Sequence, residues 1–319
     1  MNTRNIMGSG KSRIRILPLE EVLMTPEQIE EQERQEQERI KEAERKAEEE
    51  RRKEAEKRAG KPSQPKGNII VPEFNLDGEW NFKWYNGKNT EQMPEILKAG
   101  RVPMSSATLF LLRTGKLTDK NKKHNYVTNY FDTADLIAYS TGDELKYVLT
   151  TDAQNKPTDL GLKALSWIAL GTLVNNGIDL SNGRYEELDG QGIIKVKDSG
   201  ELGKIATATS LNETLDSKHW RILLRHQDEV PAEFAIPGLH EEAINYIFSE
   251  YKNQHAKTTP IDELKLMGVY LASPQNVPHL RAWYVSWLEG RSLADGRSDL
   301  DFANGRLVGI SARGAGQKN

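Results

Sequence analysis

Gly8-Ser9-Gly10-Lys11-Ser12 puts a glycine, a lysine and a hydroxyl in the order that closes a phosphate-binding loop. That chemistry also needs a glycine at the position held by Asn5, a strand before the loop and a helix after it. Only Met1 to Arg4 precede Asn5, and the following Arg13 to Pro18 alternates like an extended segment, so ATP binding is not expected. Six histidines raise the question of a metal. His219 and His226 are seven apart, however, one turn too far for a two-ligand pair on a helix. No Gly-x-Ser-x-Gly elbow is present. The acidic pairs Glu186-Glu187 and Glu241-Glu242 sit in polar, solvated surroundings. No catalytic residue, cofactor site or metal site emerges, and an enzyme is not expected.

A basic and aromatic cluster stands out in "SKHWRILLRHQDEVP". Arg221 and Arg225 are four apart and would share a helical face, with Trp220 and His226 beside them. Such a cluster suits phosphates and stacked bases. The competing reading is that these arginines pair with Asp228 or Glu229.

The elements that must position this cluster differ along the chain. Charged residues make up 29% of the 319 residues and apolar ones 37%, which predicts a compact part diluted by a polar one. The net charge of −3 does not point to nucleic acid at whole-chain level. Cysteine is absent, which excludes disulfides, thiol catalysis and cysteine-ligated zinc. No apolar run has membrane-spanning length, and the start lacks a secretory signal's apolar segment, so an intracellular chain with no membrane partner is expected.

Residues 1–68 read as an N-terminal arm. Thr25, Pro26 and Gln28 supply a helix start, and Gly60 and Pro62 a stop, around a Glu/Arg/Lys tract with opposite charges three or four apart. Its a and d positions offer only Ile29, Ile40 and alanines, so a solvated single helix or disordered arm is expected rather than a tight coiled coil. A linker, "KPSQPKGN", follows.

Residues 69–290 carry all six tryptophans and read as a mainly α core with one short β-hairpin. "DLGLKALSWIALGTLVNNG" predicts a buried helix ending at Asn175-Asn176-Gly177. "RYEELDGQGIIKVK" predicts the hairpin, turning at Asp189 to Gly192. Leu239, Ala243, Ile247, Phe248 and Tyr251 fall on one helical face. "PIDELKLMGVYLA" and "PHLRAWYVSWLEG" are expected to be helices too. Residues 291–319, with Arg306, Arg313 and Lys318, read as an extended, flexible basic C-terminal arm.

Together these segments resemble the coat proteins of flexuous filamentous plant viruses, the potyvirus family in particular. "WRILLRHQDEVPAE" is similar to that family's Arg-x-Ile-Met-x-His-Phe-Ser stretch and puts Arg221, Arg225 and His226 on matching positions. "LSWIALGTLVNNGIDLSNG" resembles its tryptophan segment leading into Asn-Gly-Thr-Ser; Asn176 and Gly177 match. Asp179 stands where the family has an RNA-contacting serine, and Ser181 is nearby. "LRAWYVSWLEG" resembles its Ala-Arg-Tyr-Ala-Phe-Asp-Phe-Tyr-Glu stretch, with Ser286 in place of the aspartate that partners the RNA-site arginine.

The resemblance implies a viral capsid protein that polymerises helically around single-stranded RNA, found in the virion and the host cytoplasm. It implies an RNA site of Arg221, Arg225, His226, Asp179, Ser181 and Ser286. The apolar strip Ile14, Ile16, Leu17 and Leu19 would serve self-association. The alternatives are a phage or viral assembly or scaffold protein, or a non-enzymatic helical adaptor for a protein partner.

Overall fold

The structure is a computed structural model that describes residues 80–117, 120–197, 200–203, 208–255, 257–288 and 292–312. The N-terminal arm, with its charged tract and its apolar strip, lies outside the described residues.

The described part begins with β1 (Trp80–Asn86), α1 (Asn89–Lys98), β2 (Val102–Pro103), α2 (Ser106–Thr114) and α3 (Lys120–Val127). A hairpin of β3 (Phe131–Tyr139) and β4 (Glu144–Val148) leads to α4 (Asp159–Leu170). Short β5 (Leu173–Val174), β6 (Gly177–Asp179) and α5 (Arg184–Glu187) precede β7 (Ile193–Lys197). Then come α6 (Leu211–Asp216), α7 (Lys218–Leu223) and the 17-residue α8 (Leu239–His255). The chain closes with β8 (Val269–Tyr270), β9 (His279–Val285), β10 (Ala294–Asp295) and β11 (Arg306–Ala312).

The strands form two sheets. One is three-stranded and antiparallel, in the order β1-β11-β2. The other runs β5-β6-β9-β3-β4-β7, with β10 and β8 joined beside β9. Its central strand β3 is buried along its whole length. Period-two alternation sorts its side chains into two cores. Ile137 and Tyr139 join Tyr147, Trp283 and Val285 under α2, α7 and α8. Leu136 and Ala138 join Val148, Leu280 and Ala282 under α1 and α4. The large sheet is therefore covered on both faces, which is why burial runs unbroken along its central strand, polar residues included.

This sheet-rich architecture corrects the mainly α expectation, and with it the helical-capsid type of core. No coiled coil is present among the described residues; the longest helix there, α8, packs by one face into the core. "PHLRAWYVSWLEG" is β9 and its exit rather than a helix, and "PIDELKLMGVYLA" is a single 3-10 turn followed by β8. Burial on both faces erases the alternation that would have separated strand from helix.

α4 stops at Leu170 as Gly171 leaves the helix in extended backbone, packed so closely on the next segment that a Cβ there would clash with Ile178 Cγ2. "NNG" then turns a β5–β6 hairpin instead of ending the helix. Asn175 and Asn176 have φ of 50° and 65°, the left-handed pair that a tight hairpin turn demands. The hairpin expected at Asp189 to Gly192 is absent: a helical turn, α5, precedes it, and β7 pairs with β4. The expected extended C-terminal arm is also corrected over residues 292–312, since β11 is the middle strand of the small sheet and Leu307, Val308 and Ile310 are fully buried.

Candidate functional site

Two places in this fold gather chemistry-bearing side chains: the exit of β9 and the loop between α7 and α8. The first is organised by Arg113, in the last turn of α2. Its guanidinium is fully buried and donates from Nε to the Tyr126 carbonyl (2.9 Å). Nη2 donates to the carbonyls of Asn129 (3.1 Å) and Ser286 (2.7 Å), and Nη1 to Ser292 Oγ (3.1 Å). None of these four partners is a carboxylate, and burial pulls the arginine's pKa down to about 9. A planar fork of donors thus ties together the end of α3, the loop before β3 and the loop after β9.

Those tied segments present aromatic rings. Tyr130 lies 5.5 Å from Tyr284 and 5.9 Å from Trp287, centroid to centroid. Trp287 is 36% exposed. Tyr130 donates its hydroxyl to the Asn304 carbonyl (2.9 Å), in the loop that also carries Phe302, 51% exposed. Arg306 stands over both Tyr130 (4.7 Å) and Trp84 (5.6 Å) and donates to Asn129 Oδ1. Its backbone N–H reaches buried Asp132 Oδ2 (3.0 Å), while Ser298 Oγ donates to Asp132 Oδ1 (2.9 Å). Burial raises the Asp132 pKa, and the bond from the Arg306 backbone is the first of those opposing it. Burial likewise pushes Tyr284 up to about 12.

The second place holds part of the predicted RNA site. α7 is capped by Ser217, whose Oγ accepts from Trp220 N. Arg221 projects from it to Asp228 (3.1 Å) and Glu229 (3.5 Å), the ion pairs named as the competing reading. Arg225 does not share that face, because α7 ends at Leu223 and Arg225 has a φ of +61°. That left-handed residue sends its side chain inward to Asp135 (2.7 Å), with exposures of 1% and 0%. Asp135 also accepts from Ser106 N (2.8 Å). A phosphate contact by Arg225 is thereby corrected to a buried ion pair.

His226 Nδ1 accepts from Arg221 Nη2 and from Asp228 N, each at 3.2 Å, since neither nitrogen can do anything but donate. Its Nε2 lies 3.2 Å from Glu241 Oε1. Asp179, on β6, accepts from Ser181 N (2.7 Å) through Oδ1, and its carbonyl accepts from Arg184 (3.3 Å). It pairs with His279 at the start of β9, whereas buried Ser286 follows the strand's end, about 20 Å away at the rise of a strand. Arg221 and His226 are together; Asp179 and Ser181 are not near Ser286.

A third chain of groups, the Tyr147 hydroxyl, His219 and Glu201, has a 2.6 Å link between His219 Nε2 and Glu201 Oε2. It runs from Glu201, whose side chain is 55% exposed, through His219 to the fully buried Tyr147. The sequence reading missed Arg113, Tyr130, Tyr284, Trp287 and Arg306, because no spacing rule links a helix end to loops more than a hundred residues away. It also missed His240, which lies fourteen residues beyond His226 across a loop.

No protein-family model and no curated protein matches this chain. A solved structure described as "Accommodation of massive sequence variation in Nanoarchaeota by the C-type lectin fold" is similar over 74% of this chain and 100% of its own. The identity is 13% and the TM-score 0.47. At that distance the architecture rests on the strand pairing described above. None of these findings bears on the coat-protein resemblance.

Proposed function

We propose that this chain is a non-enzymatic binding module that engages a protein partner through the Tyr130–Tyr284–Trp287 face. The observation that carries this reading is an aromatic face, exposed at Trp287 and half-buried at Tyr130 and Tyr284, whose supporting loops are fixed by the buried Arg113 fork. Tyrosine, tryptophan and arginine dominate the energetic centres of protein interfaces. Rings held in place before binding lose little conformational freedom when a partner arrives. Aromatic faces also stack nucleic-acid bases, but single-strand binding draws on free cations for phosphates. Arg306, the cation standing at this face, is already engaged by two rings and by Asn129.

The test places a photo-crosslinking amino acid at Trp287 of the full chain in its native cells. The captured protein is then purified and titrated against the unmodified chain and Trp287→Ala. Affinity should fall about 30-fold for Trp287→Ala, the size of an interface hot spot. Equal binding by the two chains overturns the reading. So does a Trp287→Ala chain that instead loses single-stranded RNA in a filter assay.

A further inference from the structure

The loop from α7 to α8 ends in a small cleft formed by Ile236, Pro237 and Gly238 together with His226, His240 and Glu241. Gly238 turns the chain into α8 with φ +77°, so that His240 and Glu241 fall in the helix's first turn, back towards His226. One ligand-type atom from each of these three side chains lies within 4.8 Å of the others. His226 Nε2 lies 3.2 Å from Glu241 Oε1, and His240 Nδ1 lies 3.7 Å from the same oxygen. Ligands at about 2.0–2.1 Å from a tetrahedral zinc stand roughly 3.3 Å apart, so small adjustments would let all three meet one ion.

His240 supplies the second observation. Its side chain is only 3% exposed, and both ring nitrogens lack a hydrogen-bond partner; at 3.7 Å the Glu241 oxygen is out of reach. A buried imidazole with both nitrogens idle carries a desolvation cost that nothing in the fold offsets. The surrounding charges favour a cation: Arg221 is outnumbered by Asp228, Glu229 and Glu241. The positive end of the α8 dipole opposes it, but only as about half a charge.

We propose that His226, His240 and Glu241 bind a divalent transition-metal ion of the zinc class, with the fourth position open to water. Two imidazoles and one carboxylate suit zinc, cobalt or nickel better than calcium or magnesium, which prefer all-oxygen shells. His240, with both ring nitrogens unpartnered, has a lone pair to offer. His226 must change tautomer. In the arrangement described, Nδ1 accepts and Nε2 carries the proton. Ligation through Nε2 moves that proton to Nδ1, so Arg221 Nη2 and Asp228 N, which donate to Nδ1 in the arrangement described, must turn away, and Asp228 Oδ2, 3.7 Å off, becomes the carboxylate that orients the ligand.

The experiment titrates the full chain with Co2+, read by visible absorption, and then displaces the cobalt with Zn2+. One ion per chain is expected, with the absorption of a low-coordinate nitrogen and oxygen site. His226→Gln and Glu241→Gln should each lose that absorption while their metal-free melting temperatures stay near that of the parent. Both positions are at least partly exposed, so they remain informative even where His240→Gln fails to fold. Asp228→Asn, which keeps the fold's surface but removes the orienting charge, should weaken binding about tenfold. His255→Gln, at the far end of α8, should bind like the parent. Absence of saturable uptake overturns the proposal, as does parental affinity in both His226→Gln and Glu241→Gln.

Discussion

Arg113 and Arg225 are both sealed in the interior, and they meet opposite kinds of partner. Arg225 meets the carboxylate of Asp135, so two charges cancel where the exit of α7 meets β3 and the start of α2. Arg113 meets three carbonyls and a hydroxyl, so its charge is solvated by loop ends. A buried cation with its own acid ties regular elements together. A buried cation dressed by carbonyls holds loops that lack a ladder of their own, and those loops carry the exposed rings.

The contrast breaks most severely at Arg225. Arg225→Met would leave Asp135 as an uncompensated charge in the interior, a loss of about 3–5 kcal/mol in urea unfolding. Combining it with Asp135→Leu should recover most of that stability, since the charge that needed a partner is gone as well. A double variant as unstable as the single one would mean that the pair does more than neutralise itself.

Arg113→Met removes a charge that had no acid to strand, so a smaller loss of about 2–3 kcal/mol is expected, from carbonyls left without donors. Its effect should also be local. Amide exchange should quicken around Tyr130 and Trp287 before it does in β3, because the loops are what Arg113 holds. Arg113→Lys should not rescue it, since one ammonium cannot reproduce the planar fork across four acceptors. Exchange that rises uniformly through the molecule would deny the loop-holding role.

A third handle is His279, at the start of β9, stacked on Tyr139 at 5.0 Å. Burial first, and Arg281 second, lower its pKa from 6.5 to about 4. The unfolded chain therefore binds a proton that the folded chain refuses between these values. The stability from this residue is complete above pH 6.5 and is lost as pH falls towards 4. At pH 5 the loss should be roughly 1–2 kcal/mol relative to pH 7. In His279→Gln the acid-side slope of stability against pH should flatten; an unchanged slope would remove His279 as its source.

The same contrast explains what the sequence made legible. α8 lies where its apolar spacing predicts, because one face is buried and the other is wet. β9 did not reveal itself, because Leu280, Ala282, Trp283 and Val285 are buried on both sides and leave no alternation to read. The Asn175-Asn176 turn was visible as residues but took the meaning of a helix end, since both meanings want left-handed asparagine. At the candidate sites, Arg221 and His226 were found because they lie close in sequence. His240 and Arg113 act through partners that only the tertiary fold brings near, so spacing could not show them. Arg225 looked exposed by helical periodicity, and one residue of left-handed backbone reversed it.

The smallest expected effect on stability is the one that matters most for function. Trp287 is partly exposed, its neighbours Tyr130 and Tyr284 are themselves anchored, and among the described residues no hydrogen bond depends on its indole. Truncating such a side chain should cost no more than about 0.5 kcal/mol, the range of surface substitutions. A residue kept for packing would behave differently: Trp283, fully buried on β9 four residues earlier, should cost about 3–5 kcal/mol as Trp283→Ala. Measuring both variants in one unfolding series separates the tryptophan that builds the core from the tryptophan the core presents. If Trp287→Ala proves as destabilising as Trp283→Ala, the aromatic face is part of the packing, and the binding role assigned to it has no surface left to act through.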